Sequence, residues 1–232
     1  MKRIFVPTRN GSDWQRLLAK PELHWKSGRS AMTAAACWDD AADRLPRDIA
    51  QVLSGSGVPE LKDLRLLLAI PEWEVPLPGG SRPSFTDVLA VATNRSGLCT
   101  IAVEAKAGED FGPTIAARTL EASAGQESRL AYLQELLGRQ FHAAIRYQLL
   151  HRTASAIIVA RDFHAETTVM LVHAWNSTPE QRRDFEAFSE AMGAEERGPN
   201  VRAIARSDAP SLFLAWCDGA PEFLRASLPV GT

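Results

Sequence analysis

The chain has 232 residues, 45% hydrophobic and 23% charged, enough apolar material for one elaborated domain with a sizeable core, or for two small domains. Its formal net charge of −2 excludes a global basic field, so a nucleic-acid partner would have to be met by a local basic surface. Cys37, Cys99 and Cys217 are few, widely spaced and form no C-x-x-C pair, which argues against a disulfide framework or a zinc knuckle and fits a reducing compartment.

Met1–Phe5 has two basic residues with no apolar run behind them, so no signal peptide is expected. No stretch approaches the ~20 apolar residues that span a bilayer. A cytoplasmic protein is expected, and the sequons at Asn10, Asn94 and Asn176 then carry no weight.

Residues 30–53 read as helix. Ser30 is placed to cap it, an Ala-rich run follows, Trp38, Ala42 and Leu45 fall on one side, and Pro46 interrupts before Arg47–Leu53 resumes. Ser54-Gly55-Ser56-Gly57 is a flexible break. It suggests a helical extension over residues 1–56 packed on a core over residues 57–232. Leu64–Leu68 and Trp73–Leu77 are extended stretches interrupted by Pro71, and Pro78-Gly79-Gly80 is a turn. Ser84–Thr93 and Leu98–Lys106 are strand candidates joined by the short loop Asn94-Arg95-Ser96-Gly97.

Residues 113–151 are helical in pattern, in two or three pieces. Leu130, Leu133 and Leu137 mark one apolar face that stops at Gly138; Phe141, Ala144, Ile145 and Leu149 mark the next. Ser155–Ala160 reads as a buried strand and Val169–Trp175 as another. Thr178-Pro179-Glu180-Gln181 is a helix start, followed by Phe185, Phe188 and Met192 on one face and a stop at Gly193. Val201–Ala205 and Leu212–Trp216 read as the last strands. The order predicts an α/β fold with a mixed central sheet flanked by helices.

The hairpin carries the chemistry. With a loop of two or four residues centred between Arg95 and Ser96, paired residues have numbers summing to 191, so Asp87 faces Glu104 and Lys106 points to the same side. The other side, Thr86, Val88, Ala90 and Ala92 against Ala105, Val103, Ile101 and Cys99, is apolar apart from Thr86 and expected under a helix. Two carboxylates directly opposite one another repel. Lys106 offsets part of that, and a divalent cation would offset more. A three- or five-residue loop would instead put the two acids on opposite faces.

Asp87, a hairpin, then Glu104-Ala105-Lys106 resembles the D…E-x-K signature of the PD-(D/E)XK phosphodiesterases, with Thr86 where a proline often stands. The resemblance covers roughly residues 60–161. Pro76-Leu77-Pro78-Gly79-Gly80 and the segment Arg146–Ser155 are also similar to an uncharacterised bacterial family placed in that superfamily, a resemblance that implies no activity. The superfamily resemblance implies a restriction-endonuclease-like core behind the N-terminal helical extension. It also implies Mg²⁺ or Mn²⁺ held by Asp87, Glu104 and the Ala105 carbonyl, with Lys106 orienting the attacking water or stabilising transition-state charge. The physical logic is general: a bound metal lowers the pKa of a coordinated water, and an ammonium stabilises developing negative charge. A bare D…E-x-K pattern is weak, and the competing expectation is a surface hairpin with a solvated Glu104–Lys106 pair.

A further acid is expected from Glu72 or Glu74, with Glu60, Asp39 and Asp40 further off; Glu72 is preferred, although a solvated edge explains any one of them equally well. Segment 139–152 contains Arg139, His142, Arg146, His151 and Arg152 and no acid, which suits either phosphates or an ordinary solvated helix side. Gln140, Tyr147 and Gln148 stand near where related nucleases place a Gln and a Tyr. Trp25, Lys26, Arg29 and Ser30 form an aromatic-basic loop, for which packing of Trp25 is preferred over base stacking. There is no H-E-x-x-H, G-x-S-x-G, Walker A or G-x-G-x-x-G.

Two functions follow: a Mg²⁺-dependent nuclease acting on nucleic acid, DNA first, or a non-catalytic binding or regulatory domain on the same fold. A basic groove leading to Asp87 favours the first.

Overall fold

The computed structural model describes residues 11–229, so Met1–Phe5 and Asn10 lie outside the described part. Helices α1 (Pro21–His24), α2 (Ser30–Ala41) and α3 (Arg47–Gly55) precede strands β1 (Arg65–Val75), β2 (Ser84–Asn94) and β3 (Gly97–Ala107). Then come α4 (Ile115–Thr119), α5 (Ala124–Leu137), α6 (Tyr147–Asp162), β4 (Thr167–Trp175), α7 (Pro179–Ala191), β5 (Glu195–Glu196), β6 (Val201–Ile204) and β7 (Ser211–Asp218).

The strands form one seven-stranded mixed sheet in the order β1-β2-β3-β4-β7-β6-β5. β1, β2 and β3 are antiparallel, β3, β4 and β7 are parallel, and β6 and β5 return antiparallel. One face packs Val88, Ile101, Val103 and Ala105 against Trp38, Ile49 and Leu53 of α2 and α3. The other packs Ala102, Met170, Val172 and Trp216 against Leu149, Ile157, Phe185 and Phe188 of α6 and α7. All nine residues of β4 are buried, as expected for a central strand covered by helices on both faces.

Local sequence decides most boundaries. Thr178 and Gln181 form a reciprocal capping box, and Gly138 ends α5 in the left-handed conformation at φ 66°. Pro71 does not interrupt its strand: β1 is the sheet edge, where a missing N–H is tolerated, and Pro71 pairs with Val88.

Three expectations are corrected. Ser155–Ala160 is not a strand but the middle of α6. A short buried apolar run does not reveal its period, and here the sheet below and the polar residues upstream fix it as helix. Residues 139–146 are not helical, so Phe141, Ala144 and Ile145 share no helix face with Leu149. Ser30 does not cap α2. Arg29 is the cap residue, and the Ser30 N–H donates to Glu109 Oε1 at 3.1 Å.

Among the described residues no helix is long and apolar enough to cross a membrane. The three cysteines are free and buried, and Trp25 is buried in the core on the α2 side.

Candidate active site

The register of the hairpin places the site. Asn94 pairs with Gly97 and Val88 with Val103, so the connecting loop is Arg95-Ser96 and paired numbers sum to 191. Gly97 sits at φ 113°, where a side chain is strained, and an added Cβ would lie 2.5 Å from Glu166 Oε2, displacing the atom that accepts the Leu98 N–H. Asn94 Oδ1 accepts the Ser96 N–H and its amide ties the turn to the carbonyls of Pro59, Glu60 and Lys62. One step beyond the Val88–Val103 pair stand Asp87 and Glu104. Asp87 Oδ2 takes the N–H of Ala105 at 2.7 Å.

Around Glu104 the cations converge. Lys106 Nζ lies 2.8 Å from Oε1, and Gln148 Nε2 donates to the same oxygen at 2.7 Å. Arg152 Nε is paired with Oε2. Gln148 also accepts from Lys106 Nζ at 3.0 Å, so its amide bridges the acid and the lysine. Arg152 Nη2 is 3.7 Å from Asp87 Oδ1, too long for a hydrogen bond. Glu104 is 2% exposed and Asp87 25%, so Glu104 is the anchored acid and Asp87 the one that meets solvent.

Glu72 completes a row of three acids. Pro71 pairs with Val88 and Trp73 with Thr86, which brackets Glu72 opposite Asp87. Its backbone is turned into the left-handed region at φ 52°, a strained conformation for a glutamate of the kind that clusters at functional sites. Its carboxylate has no hydrogen bond or ion pair among the described residues. Glu74 is exposed and paired with Phe85.

The electrostatics separate the acids. Burial alone would raise Glu104, but Arg152 and Lys106 outweigh it and hold the carboxyl at about 2. Burial and then the Glu104 charge push Asp87 up to about 7. Burial and then the Asp87 charge push Glu72 up to about 8. Two carboxylates therefore stand close together without enough positive charge, and their oxygens are the donors open to a cation. Burial and the Arg152 charge press His151 down to about 3, so its imidazole is neutral. Ser84 Oγ accepts from Arg152 Nη1 at 3.2 Å and lies 3.0 Å from His151 Nδ1.

A cleft of about 450 Å³ opens beside Lys106, Gln148 and His151. Arg82, Arg118 and Arg129 line it, with Asp110 the only acid among the described lining residues, and Tyr147 and Phe111 form aromatic walls. Arg129 is spent on the carbonyls of Leu77, Pro78 and Gly80, whereas Arg118 lies 5.7 Å over the Tyr147 ring.

Several sequence candidates thus meet and others do not. Asp87, Glu104, Lys106, Glu72 and Gln148 converge, with the Ala105 N–H bound to Asp87 and Tyr147 on the cleft wall. Arg146 is turned away: it is paired with Asp184 and Glu180 and donates to the Gly112 carbonyl. Gln140 is exposed in the non-helical segment after α5 and bonds to none of the trio. Arg152, expected only as one of the basic side chains of segment 139–152, is instead the buried partner of Glu104. Read as one helix, residues 147–162 place Gln148, His151, Arg152 and Ser155 on one polar stripe, and that stripe was its signal.

A family model described as "Domain of unknown function (DUF6946)" matches residues 7–221. The chain belongs to that family. No curated protein matches the chain, and no solved structure does. The match spans the hairpin, the cleft and α6, so the whole acid–lysine–arginine cluster falls inside the DUF6946 domain.

Proposed function

We propose that this chain is a divalent-metal-dependent nuclease of the PD-(D/E)XK kind, hydrolysing phosphodiester bonds in nucleic acid, with DNA the first substrate to test. The observation that carries the proposal is the row Glu72, Asp87 and Glu104 across three adjacent strands, with Lys106, paired with Glu104, lining an arginine-flanked cleft. The donor set fits Mg²⁺ or Mn²⁺: Glu72 and Asp87 offer hard oxygens, and their raised pKa values mean that the site resists full ionisation until a cation displaces the protons. When bound, such an ion supplies hydroxide near neutral pH and polarises a phosphoryl oxygen.

The chain's own groups divide the remaining work. Lys106 presents an ammonium to charge developing on phosphate, and Gln148 fixes it against Glu104. Arg82 and Arg118 meet backbone phosphates, adding salt-dependent affinity that the net charge of −2 does not supply. Tyr147 offers a stacking surface for a base.

A second reading, a non-catalytic nucleic-acid-binding or regulatory domain, is favoured by one observation: both Glu104 oxygens are already engaged by Arg152, Lys106 and Gln148. Arg152 then performs within the protein the neutralisation that a metal would otherwise provide. Incubation of single- and double-stranded DNA and RNA with the protein and Mg²⁺ or Mn²⁺ separates the two. Metal-dependent cleavage supports the nuclease, and binding without cleavage on every substrate supports the alternative.

A further inference from the structure

The sheet's other face carries a second cluster of ligand-type side chains, across the sheet from Glu104. Cys37 comes from α2, Asp48 from the first turn of α3 and His173 from β4. His173 stands beside Ala105 in the β3–β4 register, and Ala105 belongs to the core under α2 and α3. Glu104, one residue earlier, faces α6 instead. We propose that Cys37, Asp48 and His173 form a Zn²⁺ site that ties α2 and α3 to the central strand.

One ligand atom from each residue lies within 4.8 Å of the others. With Zn–ligand bonds of about 2.0–2.3 Å, a tetrahedral ion needs its ligands about 3.3–3.8 Å apart. Small side-chain rotations therefore close the gap. Cys37 and His173 are fully buried, which is unusual for a polar imidazole without a complete set of partners.

The imidazole supplies the independent observation. His173 Nε2 lies 3.0 Å from Asp48 Oδ2, while Nδ1 is buried with no hydrogen-bond partner. A neutral imidazole has one N–H and one lone pair. A carboxylate oxygen only accepts, so the contact with Asp48 puts the proton on Nε2 and leaves the Nδ1 lone pair unused inside the core, available to a metal.

The donor chemistry selects the ion. Thiolate and imidazole favour a borderline-soft metal over Mg²⁺ or Ca²⁺. One thiolate and one carboxylate balance a divalent charge, so the loaded site is neutral, as a buried site should be. A solvent cavity of about 1020 Å³ reaches Cys37 and Asp48 and gives an entry path. Sequence spacing could not reveal the set, because it joins residues 37, 48 and 173 from three elements.

The test uses the full chain stripped with chelator and titrated with Co²⁺ as a spectroscopic substitute for Zn²⁺. The expected result is a thiolate-to-cobalt charge-transfer band that saturates at one ion per chain, is displaced by Zn²⁺ and is unaffected by Mg²⁺. Cys37→Ala should weaken binding by at least about 10–100-fold and remove the band. Asp48→Asn, which keeps an oxygen for the Ile49 N–H, is the second variant and should weaken binding similarly if Cys37→Ala does not fold. Asp87→Asn, on the other face, should leave the band unchanged. Folded wild-type protein without a thiolate-to-cobalt band, or a folded Cys37→Ala variant with undiminished affinity, overturns the proposal.

Discussion

Arg152 and Glu104, 48 residues apart in sequence, form a buried ion pair across the interface between α6 and β3. After burial, their charges are among those that act on Asp87, Glu72 and His151. Removing one partner of such a pair strands the other charge, which costs about 3–5 kcal/mol. Arg152→Ala should therefore lower unfolding free energy by about that amount in urea melts, although Lys106 remains beside Glu104. The double variant Arg152→Met/Glu104→Gln should recover much of the loss, since it leaves no stranded charge. A single-mutant cost below about 1 kcal/mol, the range of exposed pairs, would mean that the pair is solvated.

The hairpin was legible because strand pairing is arithmetic. A two-residue loop at Arg95-Ser96 fixes the register, and period-2 alternation then carries Asp87, Glu104 and Lys106 to one face. Arg152 was legible only as one of the basic side chains of segment 139–152: its partner Glu104 lies 48 residues away, and a strand at Ser155–Ala160 leaves no continuous helix to carry the stripe from Gln148 to Ser155. Glu72 was only half visible. Its position opposite Asp87 follows from the register, but its left-handed backbone does not follow from any local pattern. The Cys37–Asp48–His173 cluster is set wholly by tertiary packing.

Close, undercompensated carboxylates predict metal-linked stability. Mn²⁺ or Mg²⁺ at about 100-fold above its dissociation constant should add about 2.7 kcal/mol, or about 5–10 °C in melting temperature for a chain of this size. Asp87→Asn and Glu72→Gln should each abolish most of the shift. Differential scanning fluorimetry in a metal series checks this, and an unshifted wild type would count against a cation at these oxygens.

The pH dependence has a definite sign. Asp87 at about 7 and Glu72 at about 8 lie above the values of 3.8 and 4.5 for a free carboxyl, so the folded metal-free protein holds protons that the unfolded chain has released. Stability should then fall as pH rises from about 4 to about 8. Glu104, held at about 2, acts oppositely: its contribution is present above about 4.5 and is lost as pH falls toward 2. Melts in chelator should thus decline toward pH 8, with a shallower decline in Asp87→Asn. A metal-free melting temperature that rises between pH 5 and 8 would contradict the raised acids.

Arg82 and Arg118 line the cleft without an acidic partner among the described residues. If each neutralises one phosphate, each alanine variant should weaken nucleic-acid binding and reduce the salt slope of log K by about 0.9 on duplex or about 0.7 on single strands. Arg146→Ala, at a residue paired with Asp184 and Glu180, should leave that slope unchanged. Fluorescence anisotropy across a salt series reads both.

The most direct measurement compares wild type, Lys106→Ala and Glu104→Ala in one Mn²⁺-dependent cleavage assay alongside a metal titration. Lys106 is placed to act on charge that develops in the transition state, so its loss should slow turnover by about 10²–10³ while metal binding persists. Glu104→Ala should lose both cleavage and metal binding, because it leaves the charges of Arg152 and Lys106 facing Asp87 and Glu72, where they repel a cation. The contradicting result is wild-type protein that binds metal and nucleic acid yet cleaves no single- or double-stranded DNA or RNA.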